Sequence, residues 1–336
     1  MTDNTRQLLA PKAVKRVGVV GTGTIGSAWA AHFLAQGLDV IATDPSPRAE
    51  KTLRSAIDHA WPSLEQLGLA PEASRDRLHF SSDINSALQN VDFVQESTPE
   101  QEHIKDQVMH SISHAIRPDV IIASSTSGII PTRLQAQVKH PQRMIVGHPF
   151  NPVYLIPLVE VVGGEQTSAA TLDWAMAFYQ HWGKTPLLCQ TEIPGHLANR
   201  LQDAISGEML NLVSDGYASP ADLDIALTAG PGLRWALMGS FITSYMAAGN
   251  DSFRAIFEGK FGGPESYMPF PTLNDKDVDS IIAAADTQVQ GHSLETLKKI
   301  RDEFLVGVLQ LRASIEAKYS FDKSRFTSDN TESVKG

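Results

Sequence analysis

The stretch RVGVVGTGTIG, residues 16–26, decides the fold of the N-terminal half of the chain. It begins with a short apolar segment typical of a buried strand and ends in a turn with glycine at positions 21, 23 and 26. Residues 24–36 then carry apolar side chains at helical spacing. A strand, a glycine-rich turn and a helix in this order predict the phosphate-binding unit of a dinucleotide-binding fold.

The glycines of this turn have separate predicted roles. Gly21 permits a tight turn, Gly23 lets the backbone approach a pyrophosphate, and Gly26 lets the helix pack closely on the strand. The anion would lie on free N–H groups at the start of the helix, where the helix dipole favours negative charge. The predicted cofactor-binding residues of the turn are Gly21, Thr22, Gly23, Thr24, Ile25 and Gly26.

Asp44 stands at the end of the second predicted strand and indicates which dinucleotide is bound. A carboxylate at this position accepts hydrogen bonds from both ribose hydroxyls and repels a 2′-phosphate, so we expect NAD rather than NADP. The alternative is a glycine turn in a similar fold that binds no nucleotide. The strand, the helix and the acid occur together, which favours the cofactor.

Length and composition restrict the class of protein. The chain has 336 residues, of which 42% are hydrophobic and 20% charged, so it can fold as two domains with sizeable cores. A net charge of −10 argues against nucleic acid or an anionic membrane as the main partner. One cysteine, Cys189, excludes a disulfide framework and a multi-thiolate metal site, so we expect no metal. There is no apolar run of ~20 residues and no apolar signal-peptide core, so we expect a soluble, cytoplasmic protein.

Strands and helices alternate in the first half of the chain, which predicts an α/β fold with a largely parallel sheet. Residues 47–69 are interpreted as helices that project from this sheet. The strand candidates are 16–20, 38–43, 91–95, 120–123 and 143–147.

The second half of the chain has helical periodicity from Gly195 onward. Ser219-Pro220 is a cap followed by proline at the first helical position, which predicts a helix start. We therefore predict three segments: a Rossmann domain at 1–194, an all-α domain at 195–322 and a polar tail at 323–336.

A histidine and a glutamate form the candidate acid–base pair. His148 follows a predicted strand, at the edge where open parallel sheets place ligands. Glu160 lies in the apolar run PLVEVV, where a lone carboxylate is costly to bury and an imidazole is the natural partner. In such a pair the glutamate fixes the tautomer, and the other ring nitrogen takes a substrate proton. Considered alone, His148 is more simply interpreted as a turn histidine, and Glu160 as a half-exposed strand residue. Their combination beside a dinucleotide turn favours catalysis.

Two further polar segments have open interpretations. The SSTSG run at 124–128 ends another strand, and its hydroxyls either hold a substrate oxygen or the nicotinamide amide, or cap the helix that Pro131 introduces. Asn199 follows the predicted domain boundary, where its amide either reaches a cleft between the domains or satisfies backbone groups.

Five segments resemble a known family in sequence, order and spacing. GTGTIG, SSTSG, GHPFNP, PLVEVV and PGHLANR are similar to the motifs of the 3-hydroxyacyl-CoA dehydrogenase superfamily. The resemblance runs from about Val17 to beyond Gly232. It implies a Rossmann domain followed by a helical domain that binds substrate and forms a homodimer.

The same resemblance implies roles for single residues. His148 would be the catalytic base, and Glu160 its partner. Ser127 and Asn199 would donate hydrogen bonds to the substrate. The cofactor site would also be lined by Glu100, Lys105 and Asn151.

The chain departs from the acyl-CoA enzymes of this family at three places. Pro149 replaces the usual aromatic residue after the histidine, SSTSG lacks an asparagine, and residues 47–69 have no basic cluster for the CoA phosphates. These features resemble the branch that acts on small free hydroxy acids. HAWP at 59–62 and GLRW at 232–235 are similar to members of that branch that oxidise the 3-hydroxyl of L-carnitine.

Other substrates and another class of protein stay open. L-Gulonate, another short 3-hydroxy acid or a 3-hydroxyacyl-CoA is the alternative substrate. A non-catalytic NAD-binding protein, of the kind found among lens crystallins of this superfamily, is the alternative class.

L-Carnitine carries a quaternary ammonium, which cannot donate a hydrogen bond and is bound by aromatic faces. Arg234 or Ser127 would bind its carboxylate. Core packing is the alternative for each aromatic residue. The candidate aromatic contacts are Phe150, Tyr154, Trp235, Phe241 and Tyr245.

Overall fold

The computed structural model describes residues 8–248, 254, 274–289 and 291–319. Contacts divide the chain into two compact units, Met1–Ala204 and Ile205–Gly336. This division falls inside a helix, Ala198–Ser214, and the domain boundary after residue 194 stays a prediction. The predicted polar tail at 323–336 lies outside the described residues.

The first unit is built on a sheet covered by helices. Its strands are β1 Arg16–Val20, β2 Asp39–Thr43, β3 Leu78–Ser81, β4 Phe93–Glu96, β5 Ile121–Ser124, β6 Met144–Pro149, β7 Leu158–Gly163 and β8 Thr185–Cys189. Its helices are α1 Thr24–Ala35, α2 Ala49–Leu67, α3 Ile84–Leu88, α4 Glu102–Ala115, α5 Pro131–Gln135, α6 Ala169–His181 and the start of α7 Ala198–Ser214. Single 3-10 turns occur at Pro11–Ala13, Arg75–Arg77 and Pro141–Arg143.

The strands form one sheet in the order β3-β2-β1-β4-β5-β6-β7-β8. Every neighbouring pair in this sheet is parallel except β6 and β7, which are antiparallel. The predicted α/β Rossmann fold with a largely parallel sheet is therefore confirmed.

Residues 47–69 correct one prediction. They form the single helix α2, which packs against α1 instead of projecting from the sheet. Leu53, Ile57 and Trp61 are buried at four-residue spacing, which is the pattern of an amphipathic helix. β3 and β8 are strands that apolar runs do not reveal. They lie at the two edges of the sheet, so many of their side chains are half-exposed or exposed.

Apolar side chains pack on both faces of the sheet. Neighbouring residues of a strand point to opposite faces. Accordingly, Phe93 and Ile121 belong to one buried cluster, whereas Val94 and Ile122 belong to another. The helices on the two faces hold the strands in place, so their carboxyl ends form a fixed edge.

The second unit is helical in its described residues. Its helices, after the end of α7, are α8 Pro220–Ala229, α9 Pro231–Ala248, α10 Asp275–Gln288 and α11 Leu294–Tyr319. The helix start predicted at Ser219-Pro220 is confirmed, because Ser219 and Asp222 form a capping box before α8. α9 is interrupted at Gly239, whose φ is +58°. In the described ranges of the chain, no helix is long and apolar enough to cross a membrane.

Candidate active site

The carboxyl ends of the central strands bring the predicted residues of the first unit to one edge of the sheet. β1, β4, β5 and β6 are adjacent and parallel. The glycine turn, residues 97–100, the SSTSG turn and His148 therefore all lie at the edge where open α/β sheets bind ligands.

The glycine turn fits a pyrophosphate. Gly21 has a φ of +85°, which glycine adopts without strain. A Cβ atom on Gly26 would lie 1.8 Å from the carbonyl oxygen of Gly21, so α1 approaches the turn more closely than any other residue type allows. At Gly23, the N-cap of α1, an added Cβ would meet open space. Glycine has no side chain to cap the helix, so the first amides of α1 are available to an anion.

Asp44 is coupled to this turn. Its Oδ2 accepts hydrogen bonds from the Thr22 N–H (3.0 Å) and the Thr22 hydroxyl (3.3 Å), and its Oδ1 accepts one from the Ser46 N–H (2.9 Å). The half-buried carboxylate is thus oriented beside the turn, as a ribose-binding acid requires. Of the other two turn residues, Thr24 is exposed and Ile25 packs against the core.

His148 and Glu160 form a cross-strand pair. They lie directly opposite each other on the antiparallel strands β6 and β7. His148 Nδ1 is 2.9 Å from Glu160 Oε2, and the two residues are 5% and 0% exposed. A carboxylate accepts hydrogen bonds only, so Nδ1 carries the hydrogen and Nε2 has the lone pair. The expected contact is present, and it leaves Nε2 able to accept a proton.

The second oxygen of Glu160 binds the start of α7. Glu160 Oε1 accepts hydrogen bonds from the Leu197 N–H (2.8 Å) and the Ala198 N–H (2.9 Å). Burial alone would raise the pKa of Glu160, but the hydrogen bonds from His148, Ala198 and Leu197 outweigh it and lower the pKa. The glutamate is therefore ionised at neutral pH.

Glu100 organises the SSTSG turn. Its Oε1 accepts hydrogen bonds from the Thr126 hydroxyl, the Ser127 N–H (3.1 Å) and the Gly128 N–H (2.9 Å). Burial would raise the pKa of Glu100, but the bonds from Thr126 and Gly128 and the charge of Lys105 lower it. Glu100 thus holds the backbone at Ser127.

Lys105 lies beneath this turn in a buried ion pair. It is 1% exposed, and its Nζ is 2.9 and 3.2 Å from the two carboxylate oxygens of Glu96 and 3.1 Å from Thr98 O. Glu100 Oε2 is 3.6 Å from the same Nζ. Glu96 is a site residue that the sequence analysis missed. A charged residue that ends a buried strand is the signal that could have found it.

Asn199 reaches the SSTSG turn through the backbone. Its Nδ2 lies 3.5 Å from the carbonyl oxygen of Ser127, a long contact that favours the backbone-satisfying alternative. The ring of Phe150 lies 4.9 Å from that of His148, centroid to centroid, whereas Asn151 is exposed beside it. Tyr154 is half-buried and packs against the core.

Family comparisons accord with this geometry. The sequence profile of the 3-hydroxyacyl-CoA dehydrogenase NAD-binding domain matches residues 16–193, and that of the C-terminal domain matches residues 195–276. The chain belongs to the 3-hydroxyacyl-CoA dehydrogenase family. Its glycine turn and Asp44 are accordingly part of an NAD-binding domain.

Curated relatives and solved structures agree with this family. L-Carnitine dehydrogenase of Bacillus cereus is 45% identical over 308 residues, covering 90% of this chain and 94% of the relative. That of Pseudomonas putida is 44% identical over 315 residues, with coverages of 93% and 98%. The structure of an NAD+-dependent dismutase, 5-formyl-3-hydroxy-2-methylpyridine-4-carboxylic acid 5-dehydrogenase, has a TM-score of 0.69 at 29% identity, with coverages of 86% and 99%. (S)-3-Hydroxybutyryl-CoA dehydrogenase from Ralstonia eutropha has a TM-score of 0.60 at 26% identity, with coverages of 75% and 96%.

Four predicted substrate contacts of this dehydrogenase lie in the second unit. Arg234 is exposed, and Trp235 is half-buried. Phe241 is 58% exposed, whereas Tyr245 packs against the buried cluster of that unit. Since His148 belongs to the first unit, the roles of these four residues stay predictions.

A buried glutamine and a tyrosine support strand β6 directly before His148, and the sequence analysis missed both. Tyr179 donates a hydrogen bond to Gln95 Oε1 (2.7 Å). Gln95 Nε2 donates to Gly147 O (3.2 Å) and to the Ser125 hydroxyl (2.9 Å). A Cβ on Gly147 would lie 2.0 Å from the Tyr179 hydroxyl, so glycine is required directly before His148. A fully buried glutamine inside a strand is the signal that could have found this network.

Proposed function

We propose that this protein oxidises the 3-hydroxyl of L-carnitine to 3-dehydrocarnitine with NAD. The observation that carries the reaction type is the buried His148–Glu160 pair, placed on the same strand edge as the glycine turn. The likeness to L-carnitine dehydrogenases over about nine-tenths of the chain supports the substrate.

His148 acts as the base in this proposal. Its Nε2 takes the hydroxyl proton as the C–H bond at the same carbon breaks, which leaves a ketone. Bound NAD supplies the acceptor for the hydride. Ionised Glu160 holds the imidazole in the required tautomer and stabilises the imidazolium that forms.

The oxygen of the substrate is positioned by the turn after β5. Ser127 is proposed to hydrogen-bond this oxygen, and Glu100 keeps the Ser127 backbone in place. Asn199 is proposed to bind the same oxygen, for which its amide has to exchange its long contact with the Ser127 carbonyl for the substrate. The residues proposed to hold NAD are Gly21, Thr22, Gly23, Thr24, Ile25, Gly26, Asp44, Glu100 and Asn151. Lys105 is proposed to support this site from beneath, through its buried contacts with Glu96 and Glu100.

The ammonium group of the substrate is proposed to lie against aromatic rings. Phe150 has the best support, because its ring is 4.9 Å from that of His148. Arg234 or Ser127 is proposed to bind the carboxylate. The further aromatic candidates are Tyr154, Trp235, Phe241 and Tyr245.

The proposal extends to assembly and location. We propose a Rossmann domain at 1–194 and a helical domain at 195–322, which the profile matches at 16–193 and 195–276 support. The helical domain is proposed to form a homodimer in the cytoplasm. Leu210 and Tyr217 are 70% and 77% exposed in the second unit, which supports an apolar contact surface there. Light scattering after gel filtration measures the molar mass in solution and so tests the proposed homodimer.

The test of the proposed function is NADH formation with L-carnitine, D-carnitine, L-gulonate and 3-hydroxybutyryl-CoA. Turnover of L-carnitine alone supports the proposal. Turnover of gulonate or the thioester instead would overturn the substrate and leave the acid–base pair intact. NAD binding without any turnover would favour the non-catalytic class.

Substitution of the base tests the mechanism separately. His148→Ala should reduce kcat by about 10²- to 10⁴-fold, the usual contribution of a positioned acid–base group, and leave NAD affinity nearly unchanged. His59→Ala, at an exposed position on α2, is the control. Near-normal turnover of His148→Ala would contradict the mechanism.

A further inference from the structure

A second histidine, His196, is buried beside the catalytic pair. It has no exposed surface, and its ring centroid lies 5.3 Å from that of His148. Its φ is +52°, in the left-handed region that residues other than glycine rarely adopt. Backbone strain of this kind persists where the surrounding structure requires it, often at functional sites. The side chain of His196 is therefore expected to make a contact that offsets the strain.

That contact fixes the tautomer of His196. Its Nε2 is 3.2 Å from the carbonyl oxygen of Thr126. A carbonyl oxygen only accepts hydrogen bonds, so Nε2 carries the hydrogen and Nδ1 of the neutral ring is bare. Nδ1 is buried and has no hydrogen-bond partner among the described residues. A proton on Nδ1 would be buried there without an acceptor, which disfavours the charged ring.

The surroundings also keep His196 neutral. Burial is the largest cause that lowers its pKa, and the neighbouring His148 lowers it further. The Thr126 carbonyl and the carboxylates of Glu160 and Glu100 act in the opposite direction but do not outweigh burial. His196 is therefore disfavoured as a proton acceptor in this site.

The segment that carries His196 joins the two halves of the active site. His196 binds the carbonyl of Thr126, and Asn199 reaches the carbonyl of Ser127. Between these two residues, the backbone N–H groups of Leu197 and Ala198 donate hydrogen bonds to Glu160. One short turn thus contacts both the SSTSG turn and the partner of the catalytic base.

We propose that His196 is a positioning residue of the active site. Its Nε2–H bond to Thr126 fixes the SSTSG turn relative to the His148–Glu160 pair, and its neutral ring leaves His148 to take the substrate proton. The effect of His196 on turnover rests on the proposed function. Its tautomer and its hydrogen bond to Thr126 are independent of that function.

Two amide variants of different length test the hydrogen bond. The amide of His196→Gln reaches the position of Nε2 and can donate to Thr126, whereas that of His196→Asn is too short. Asparagine tolerates positive φ, so His196→Asn is expected to fold. We expect kcat to fall by about 10- to 100-fold in His196→Asn, since small misplacements of reacting groups have effects of this size. His196→Gln should stay within about 3-fold of wild type, with NAD affinity unchanged in both.

A measurement independent of turnover tests the tautomer. Nitrogen-15 NMR of the histidine rings, assigned by comparison with His196→Gln, should show His196 as the Nε2–H form with no titration near pH ~6.5, the usual value for histidine. Titration there, or the Nδ1–H form, would overturn the proposal.

The kinetic outcomes separate the hydrogen bond from other roles. Wild-type kcat in a folded His196→Asn would mean that His196 only packs. Equal losses in the two variants would mean that the imidazole itself is required, which also contradicts positioning through Thr126. If wild-type enzyme turns over no hydroxy acid, the proposed function fails, while the NMR result still decides the state of His196.

Discussion

Replacing Glu160 by glutamine tests how the acid–base pair works. Glu160 Oε1 accepts two backbone N–H groups, and Oε2 accepts from His148 Nδ1. A glutamine of the same shape offers one acceptor and one donor. If its oxygen faces the backbone, its amide faces Nδ1, and His148 must move its hydrogen to Nε2. A histidine protonated at Nε2 has no lone pair for the substrate proton.

The size of the effect follows from the lost charge. An imidazolium and a carboxylate ~4 Å apart attract each other by about 4 kcal/mol at an effective dielectric constant of ~20. Glu160 is fully buried, so solvent provides little compensation. About 4 kcal/mol corresponds to roughly 10³-fold in rate, so Glu160→Gln should lower kcat by about that factor.

The assay is steady-state NADH formation together with NAD affinity measured by calorimetry. NAD affinity should change little, because the hydrogen bonds of Glu160 go to His148 and to the start of α7 and not to the glycine turn. Glu165→Gln, at an exposed position just after β7, is the matched control and should behave as wild type. A Glu160→Gln enzyme that retains more than about a tenth of wild-type kcat would refute this account, given the 10²–10⁴ expected of an acid–base pair.

Three further predictions concern stability and cofactor binding. Burial, with the nearby charge of Lys184, lowers the pKa of His32 from 6.5 to about 3. Below pH 6.5 the unfolded chain therefore binds a proton that the folded chain excludes, so lowering the pH from 6.5 to 5 should reduce the free energy of unfolding by about 2 kcal/mol. Urea unfolding should show that this pH-dependent loss is smaller in His32→Gln than in wild type by about this amount. Tyr179→Phe leaves the buried Gln95 Oε1 without its donor and should lower the free energy of unfolding by about 1–3 kcal/mol in the same assay. Gly26→Ala places a Cβ 1.8 Å from a backbone oxygen, so calorimetry should show at least about a tenfold weaker affinity for NAD in a protein that still folds. Unchanged affinity would contradict the close approach of α1.

Local patterns predicted the parts of the site that depend on neighbouring residues. The glycine turn and Asp44 lie within one strand–helix–strand unit, so their spacing alone places them together. The contact between His148 and Glu160 was also predictable, because a carboxylate in an apolar run needs a partner.

Other parts depend on contacts between distant segments. The tautomer of His196 is set by the Thr126 carbonyl, 70 residues earlier in the chain. Lys105 was predicted to line the cofactor site, but the structure shows its ammonium bound to the buried Glu96. The Thr126 carbonyl cannot be identified from spacing, because every residue has a carbonyl and only the folded chain brings this one to His196.

The antiparallel register of β6 and β7 has a consequence for the acid–base pair on heating. Both strands have hydrogen-bonded neighbours on each side, and such inner strands open only with global unfolding. The acid–base pair is part of these strands, so its two side chains should stay paired on heating up to the temperature at which the sheet melts. The positions of His148 and Glu160 are thus set by the pairing of their strands and not by the loop at 150–157 that joins them.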